Sequence, residues 1–142
     1  MKRLLCAFCI AALAACAKGG SSSASATAAA VAKNPASASD GATVYVANCS
    51  SCHQPNGRGV AGAFPPLAGN PTVNGNPIAV IAIVKNGLEG RLVVDGNAYS
   101  GIMPSWKHEI SDEQIAAVIS YIRSSWGNHA GGVSVSDVGS IK

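Results

Sequence analysis

The stretch Cys49-Ser50-Ser51-Cys52-His53 holds two cysteines separated by two residues and followed directly by a histidine. This C-x-x-C-H pattern is the attachment signal for c-type haem. Two thiols at this spacing reach the two vinyl groups of one porphyrin and form thioethers, and the adjacent imidazole then lies under the iron. The motif therefore predicts one covalent haem c, attached through Cys49 and Cys52, with His53 as an iron ligand.

A zinc site, a redox dithiol and a disulfide are the other common uses of a cysteine pair. A structural zinc site needs further Cys or His ligands, but no other cysteine follows residue 40, and His108 and His129 lie far apart in the sequence. A thioredoxin-like dithiol belongs to a βαβ unit, and the sequence pattern contains none. These observations favour haem attachment.

A six-coordinate iron also needs a second axial ligand. The chain has two methionines, Met1 and Met103, and Met1 would leave with a signal peptide. Met103 precedes Pro104, which removes a backbone donor and stiffens the loop. A lone methionine can instead fill a core, and His108 and His129 are rival ligands, although charged neighbours place His108 in solvent. The sequence therefore predicts His53 and Met103 as the metal ligands.

The first residues predict an export signal, residues 1–15. Two basic residues precede the apolar run 4–15, which is too short for a membrane helix but suits a signal-peptide core. The run ends in Leu13-Ala14-Ala15-Cys16, which resembles a bacterial lipobox. This resemblance implies lipidation of Cys16 and stable membrane anchoring by several acyl chains. The alternative is an ordinary signal peptide with Cys16 incidental.

Composition divides the rest of the chain into three parts. Residues 16–39, which are rich in Ala, Ser and Gly, predict the lipidated cysteine and a flexible linker. Residues 40–129 form the expected folded domain, and residues 130–142 a flexible tail. The domain carries five basic and six acidic side chains, so it has no clustered basic face for nucleic acid.

Local patterns predict the helices of the domain. Asp40 can cap a first helix. Asn76-Pro77 can open a second helix that ends at Gly87, although the apolar run between them also fits a buried strand. Residues 91–99 predict a hairpin or extended loop turning at Asp95-Gly96. Ser111 and Gln114 form a capping box before the last helix.

Residues 41–127 resemble a class I cytochrome c of the short bacterial type. The resemblance rests on four stretches besides the haem motif: Gly41 with Tyr45, Phe64-Pro65-Pro66-Leu67, Gly101-Ile102-Met103-Pro104, and Val118-Ile119-Ser120-Tyr121-Ile122. It implies a small all-α fold of three to four helices around the haem, with the hairpin or extended loop before the Met ligand. It also implies that the first and last helices cross at a glycine and aromatic contact.

The resemblance further implies that a proline carbonyl accepts the second imidazole proton of His53. Pro65 is the better match and Pro66 the weaker one. Tyr99, Trp106 and Arg91 are candidates for contact with the haem propionates; the alternative is surface packing for Trp106 and a solvated Arg91.

The implied function is one-electron transport on the periplasmic side of a bacterial membrane, not enzymatic catalysis on a small-molecule substrate. Electrons would pass from a respiratory or dehydrogenase donor to a terminal oxidase or reductase. Ala17 stands where many retained lipoproteins have aspartate, which favours the outer membrane. The alternatives are a haem c subunit dedicated to one larger oxidoreductase, docked through residues 130–142, and a five-coordinate haem peroxidase.

Overall fold

The structure is a computed structural model and describes residues 38–142, so the predicted signal peptide, Cys16 and almost all of the linker lie outside the described residues. The described part is mostly helical, with one small antiparallel hairpin, and this confirms the all-α class. Its elements are α1 Ala38–Asn48, α2 Ser50–His53, α3 Pro71–Asn74, α4 Pro77–Asn86, β1 Leu92–Val94, β2 Asn97–Tyr99, α5 Asp112–Ser124 and α6 Val135–Gly139.

The crossing of α1 and α5 is the most extensive contact between helices in residues 38–142. Gly41 lies at the crossing, where a Cβ atom would stand 2.7 Å from Tyr121 Cβ. A glycine therefore lets the two backbones approach more closely than any side chain would allow. Next to it, the rings of Tyr45 and Tyr121 pack with their centroids 5.6 Å apart. The glycine and aromatic contact expected from the resemblance is present.

The two longer helices after α1 begin where their sequence signals predict, and α4 also ends there, whereas α5 ends at Ser124. Asn76 caps α4 by accepting the amide of Ile78 at 3.0 Å, and Gly87 ends the helix with a φ of 78°. The apolar run is therefore a helix and not a strand. Ser111 and Gln114 form the expected capping box of α5. Asp40, in contrast, lies inside the first turn of α1, which begins two residues earlier.

The hairpin and the short helix α3 are the small elements of the central part of the chain. β1 and β2 pair antiparallel with Leu92 opposite Tyr99. They turn at Asp95-Gly96, where φ is 47° and 78°, as a tight two-residue hairpin requires. α3 is a short helix that the sequence patterns did not predict. Asn70 caps it by accepting the amide of Thr72 at 2.9 Å.

Residues 130–142 differ from the flexible tail expected from their composition, because they fold onto the domain. Val133 and Val138 are 2 % and 0 % exposed, and a capping box at Ser134 starts α6. Lys85 Nζ donates to Val138 O at 3.1 Å, which ties α6 to α4. Two spaced valines thus supply enough apolar burial to order a segment rich in Gly and Ser. None of the helices in residues 38–142 is long and apolar enough to cross a bilayer.

Candidate functional site

A cavity of about 300 Å³ lies between the helices and the hairpin. Its apolar wall includes Val80 and Val84 from α4, Leu92 and Val94 from β1, and Val118 and Ile122 from α5. Within residues 38–142, no Asp, Glu, Lys or Arg side chain lines it. This volume is at the lower end of the range typical of small-molecule sites. The wall suits a flat apolar ligand better than a charged one.

The haem motif forms one turn of helix at the cavity wall. The His53 amide donates to Cys49 O at 3.0 Å, an i to i−4 bond. Residues three and four positions apart lie on one helix face, so this turn brings Cys49, Cys52 and His53 together, and all three line the cavity. Burial, and secondarily the neighbouring Cys52, raises the pKa of the Cys49 thiol to about 11. The thiol is therefore protonated near neutral pH in the chain without its attachment.

The imidazole of His53 is held in one orientation. Only 9 % of the residue is exposed, and its Nδ1 lies 3.0 Å from Pro65 O. A carbonyl can only accept, so Nδ1 carries the proton and Nε2 keeps its free electron pair. Pro66 O instead accepts a hydrogen bond from the side-chain amide of Asn70, Nδ2, at 2.7 Å. Burial lowers the pKa of His53, and the bond to Pro65 partly offsets this effect. The neutral form required of a metal ligand is therefore favoured.

Met103 lies on a loop whose backbone is held by hydrogen bonds at Met103 and at Gly101. Its amide and its carbonyl exchange hydrogen bonds with Leu88, each at 2.9 Å. Two residues earlier, the amide of Gly101 donates to Ala63 O at 2.8 Å. Met103 is half-buried and lines the same cavity as His53.

The rival ligands and the propionate candidates are placed differently. His108 and His129 are exposed, and neither belongs to the cavity wall. Tyr99 and Trp106 both line the cavity, with Tyr99 9 % exposed. Arg91 is exposed and lies outside the wall, although the residues on either side of it line the cavity. Contacts of these three residues with propionates remain predictions.

Sequence reasoning missed two buried polar residues that hold the cavity wall. Asn128 is 1 % exposed; its side chain donates to Leu67 O at 3.0 Å and to Ile122 O at 2.9 Å. Arg123 is 4 % exposed and donates to Val73 O at 2.6 Å and Gly131 O at 2.7 Å. All of these partners are backbone carbonyls, so no sequence motif marks them. Asn70 could have been found, because Asn70-Pro71 repeats the cap pattern of Asn76-Pro77.

The residues present fit a covalent haem. The two thiols and the imidazole occur on one helical turn, and the imidazole has its Nε2 electron pair available. A thioether lines the same cavity, and most of the remaining wall is apolar. A soft sulfur and an imidazole are the donor pair of many cytochrome irons. Cys49 and Cys52 would supply the thioether bonds, and the apolar wall would cover the porphyrin.

Comparison with known proteins agrees with this site. Residues 38–126 match the family model for cytochrome c. Cytochrome c-552 of Thermus thermophilus is 43 % identical over 93 residues, which are 63 % of this chain and 70 % of that protein. The cytochrome c subunit of the quinone alcohol dehydrogenase of Gluconacetobacter polyoxogenes is 43 % identical over 105 residues, or 72 % of this chain and 22 % of the subunit.

The cytochrome c subunit of gluconate 2-dehydrogenase from Pantoea cypripedii is 36 % identical over 107 residues. These residues are 72 % of this chain and 24 % of that subunit. The chain therefore spans about a quarter or less of the dehydrogenase subunits that it matches. Family model, relatives and haem motif together show that this chain belongs to the cytochrome c family and is an electron-transfer protein with covalently bound haem c.

Proposed function

We propose that the chain is a one-electron carrier whose haem iron is bound axially by His53 and Met103. The observation that carries the proposal is that a neutral, hydrogen-bonded imidazole and a thioether line one apolar cavity beside the two attachment cysteines. The bound haem supplies the one-electron chemistry of its iron. The chain supplies the attachment, the two ligands and the exclusion of water.

The ligand loops support electron transfer rather than catalysis. Pro65 holds the imidazole of His53, and Leu88 holds the backbone of Met103. Ligands fixed in this way keep nearly the same positions in both oxidation states. A thioether ligand favours reduced iron and raises the potential. It would also occupy the iron position that peroxide needs, and apart from His53 no Asp, Glu, Lys, Arg or His side chain of residues 38–142 lines the cavity to assist peroxide chemistry.

Electrons would pass through the exposed rim of the cavity. Ser51, Ile102 and Pro104 line the cavity and are exposed, with Ile102 66 % exposed. All three are uncharged. A redox partner docking here would gain apolar contact and little electrostatic steering, so the rate of electron exchange should depend only weakly on ionic strength.

The ligation is tested with Met103→Ala, compared with Val93→Ala as a matched control. Val93 is 52 % exposed and lies outside the cavity wall. We expect Met103→Ala to lower the reduction potential and to open the iron to exogenous ligands such as imidazole, whereas Val93→Ala keeps the wild-type values. An unchanged potential and unchanged ligand binding in Met103→Ala would refute the assignment of Met103.

The predicted leader places this carrier outside the cytoplasm. We infer that Cys16 is lipidated and that residues 17–39 tether the domain on the periplasmic side, with the outer membrane favoured. The support is the lipobox-like stretch Leu13-Ala14-Ala15-Cys16. Cys16→Ala should move the protein from the membrane fraction to the soluble fraction, and wild-type protein that is already soluble after export would contradict the anchor.

A second candidate is a subunit dedicated to one larger oxidoreductase. Two of the relatives are cytochrome c subunits of dehydrogenases, which is the observation that favours it. The electron donor of such a subunit would be that dehydrogenase. A free carrier would instead take electrons from a respiratory or dehydrogenase donor and pass them to a terminal oxidase or reductase. Mild solubilisation of native membranes separates the two candidates. A stoichiometric complex supports the subunit, and a monomer that reduces or oxidises several partners supports the carrier.

A further inference from the structure

The residue directly after His53 has a backbone conformation that favours glycine. Gln54 has φ 63° and ψ 154°, in a region where residues with a Cβ are strained. It is one of three non-glycine residues with positive φ in residues 38–142, and it ends α2. The surrounding contacts must therefore hold this turn against relaxation.

Tyr45 supplies one of those contacts. Its hydroxyl donates to Gln54 O at 2.6 Å, and the amide of Gly57 donates to the same oxygen at 3.0 Å. Tyr45 is 1 % exposed, and its ring lies 4.9 Å from that of Trp126, so the hydroxyl has little freedom to move away. Burial raises the pKa of Tyr45, and the nearby Cys49 and Tyr121 contribute to the rise. The phenol therefore remains a donor throughout the neutral range.

This turn is coupled to the backbone of His53. The carbonyl of His53 accepts the amide of Gly59 at 2.9 Å, and the same peptide unit joins His53 to Gln54. With Gln54 O held in place, a return of Gln54 to negative φ would rotate that peptide unit and break the bond to Gly59. The strained turn thus fixes the main chain that carries the imidazole, while Pro65 fixes the ring.

We propose that the Tyr45 hydroxyl is a positioning group for the axial ligand: by holding Gln54 O, it keeps the strained turn that fixes His53 through both oxidation states. The inference rests on the iron ligation by His53 proposed above. It assigns a role to the hydroxyl that is separate from the packing of the aromatic ring at the helix crossing.

The test is a double-mutant cycle on the holoprotein with Tyr45→Phe and Gln54→Gly. Tyr45→Phe keeps the ring and removes the donor. We expect about tenfold faster amide hydrogen exchange at Gly57 and Gly59, shifted paramagnetic resonances of the His53 ring, and electron self-exchange slowed several-fold. In the Gln54→Gly background the turn is unstrained, so Tyr45→Phe should then have less than half of each effect.

Tyr121→Phe is the matched control, because its hydroxyl makes no hydrogen bond among residues 38–142 and its ring belongs to the same aromatic cluster. It should leave all three measurements at wild-type values. Equal effects of Tyr45→Phe in both backgrounds, or a loss of stability with unchanged His53 resonances and self-exchange, would overturn the inference. If wild-type His53 resonances lack a paramagnetic shift, the ligation itself fails; if they are shifted but the cycle shows no coupling, only the role of Tyr45 fails.

Discussion

Gly41→Ala tests whether the crossing of α1 and α5 sets the haem cavity. The new Cβ would stand 2.2 Å from Ala117 O, whereas ordinary contacts begin at 3.4 Å, so the helices must separate by about 1 Å. Overpacking of this kind costs about 1–3 kcal/mol, and the obstacle is backbone, which cannot rotate away. The better helix propensity of alanine offsets about 0.5–1 kcal/mol. Because the obstacle is backbone, we take the overpacking cost at the upper end of its range, about 3 kcal/mol, and the net expected loss is then about 2 kcal/mol.

Urea unfolding followed by haem absorbance measures this loss. With a slope of about 2 kcal/mol/M, the midpoint should fall by about 1 M while the slope stays unchanged. Gly131→Ala is the matched control, because its Cβ would meet no atom within 4 Å and its midpoint should stay near wild type. A Gly41→Ala midpoint equal to that of the control would refute the reasoning about the crossing.

Three other buried groups, at Val138, Arg123 and His53, also give testable expectations. Val138→Ala should lower the free energy of unfolding by about 2 kcal/mol in urea titrations, whereas the exposed Val93→Ala changes it by less than about 0.5 kcal/mol; equal small effects would mean that residues 130–142 do not pack on the domain. Arg123→Met should cost about 3 kcal/mol, because it leaves buried carbonyls without a donor, and the exposed Arg58→Met should be neutral by the same measurement. Burial lowers the pKa of His53 in the folded chain, so the unfolded chain binds the proton first as pH falls. The free energy of unfolding should therefore decline below about pH 6.5, and iron ligation by His53 acts in the same direction. A free energy of unfolding that stays constant between about pH 7 and 5 would contradict this expectation.

Much of the domain could be predicted because its signals are local. The haem motif needs five consecutive residues, and its helical turn follows from hydrogen bonds between neighbours. The caps at Asn76 and Ser111 are likewise set within four residues. The hairpin and the starts of α4 and α5 therefore agree closely with the sequence patterns.

The remaining features depend on contacts between distant segments. Val133 and Val138 lie in a Gly- and Ser-rich segment whose composition does not indicate burial. They are buried because the segment packs against α5 and α4, where Ser120 Oγ accepts the Val133 amide at 2.8 Å. Arg123 and Asn128 bind carbonyls more than 45 residues away. Side chains that bond to the backbone of distant segments carry no signature in composition or periodicity. These are the residues that sequence reasoning left in solvent or did not consider.

The proposed function depends on the thioether of Met103 binding the iron of a haem that Cys49 and Cys52 attach to the chain and that His53 ligates from the other segment of the site. Proton NMR of the reduced holoprotein with labelled methionine methyl groups tests it most directly. If Met103 ligates the iron, its methyl resonance should lie far upfield of ordinary methyl groups, because ligation would hold that methyl within the ring current of the porphyrin. This resonance should be lost in Met103→Ala. A Met103 methyl resonance at an ordinary position in the reduced wild-type protein would contradict the account.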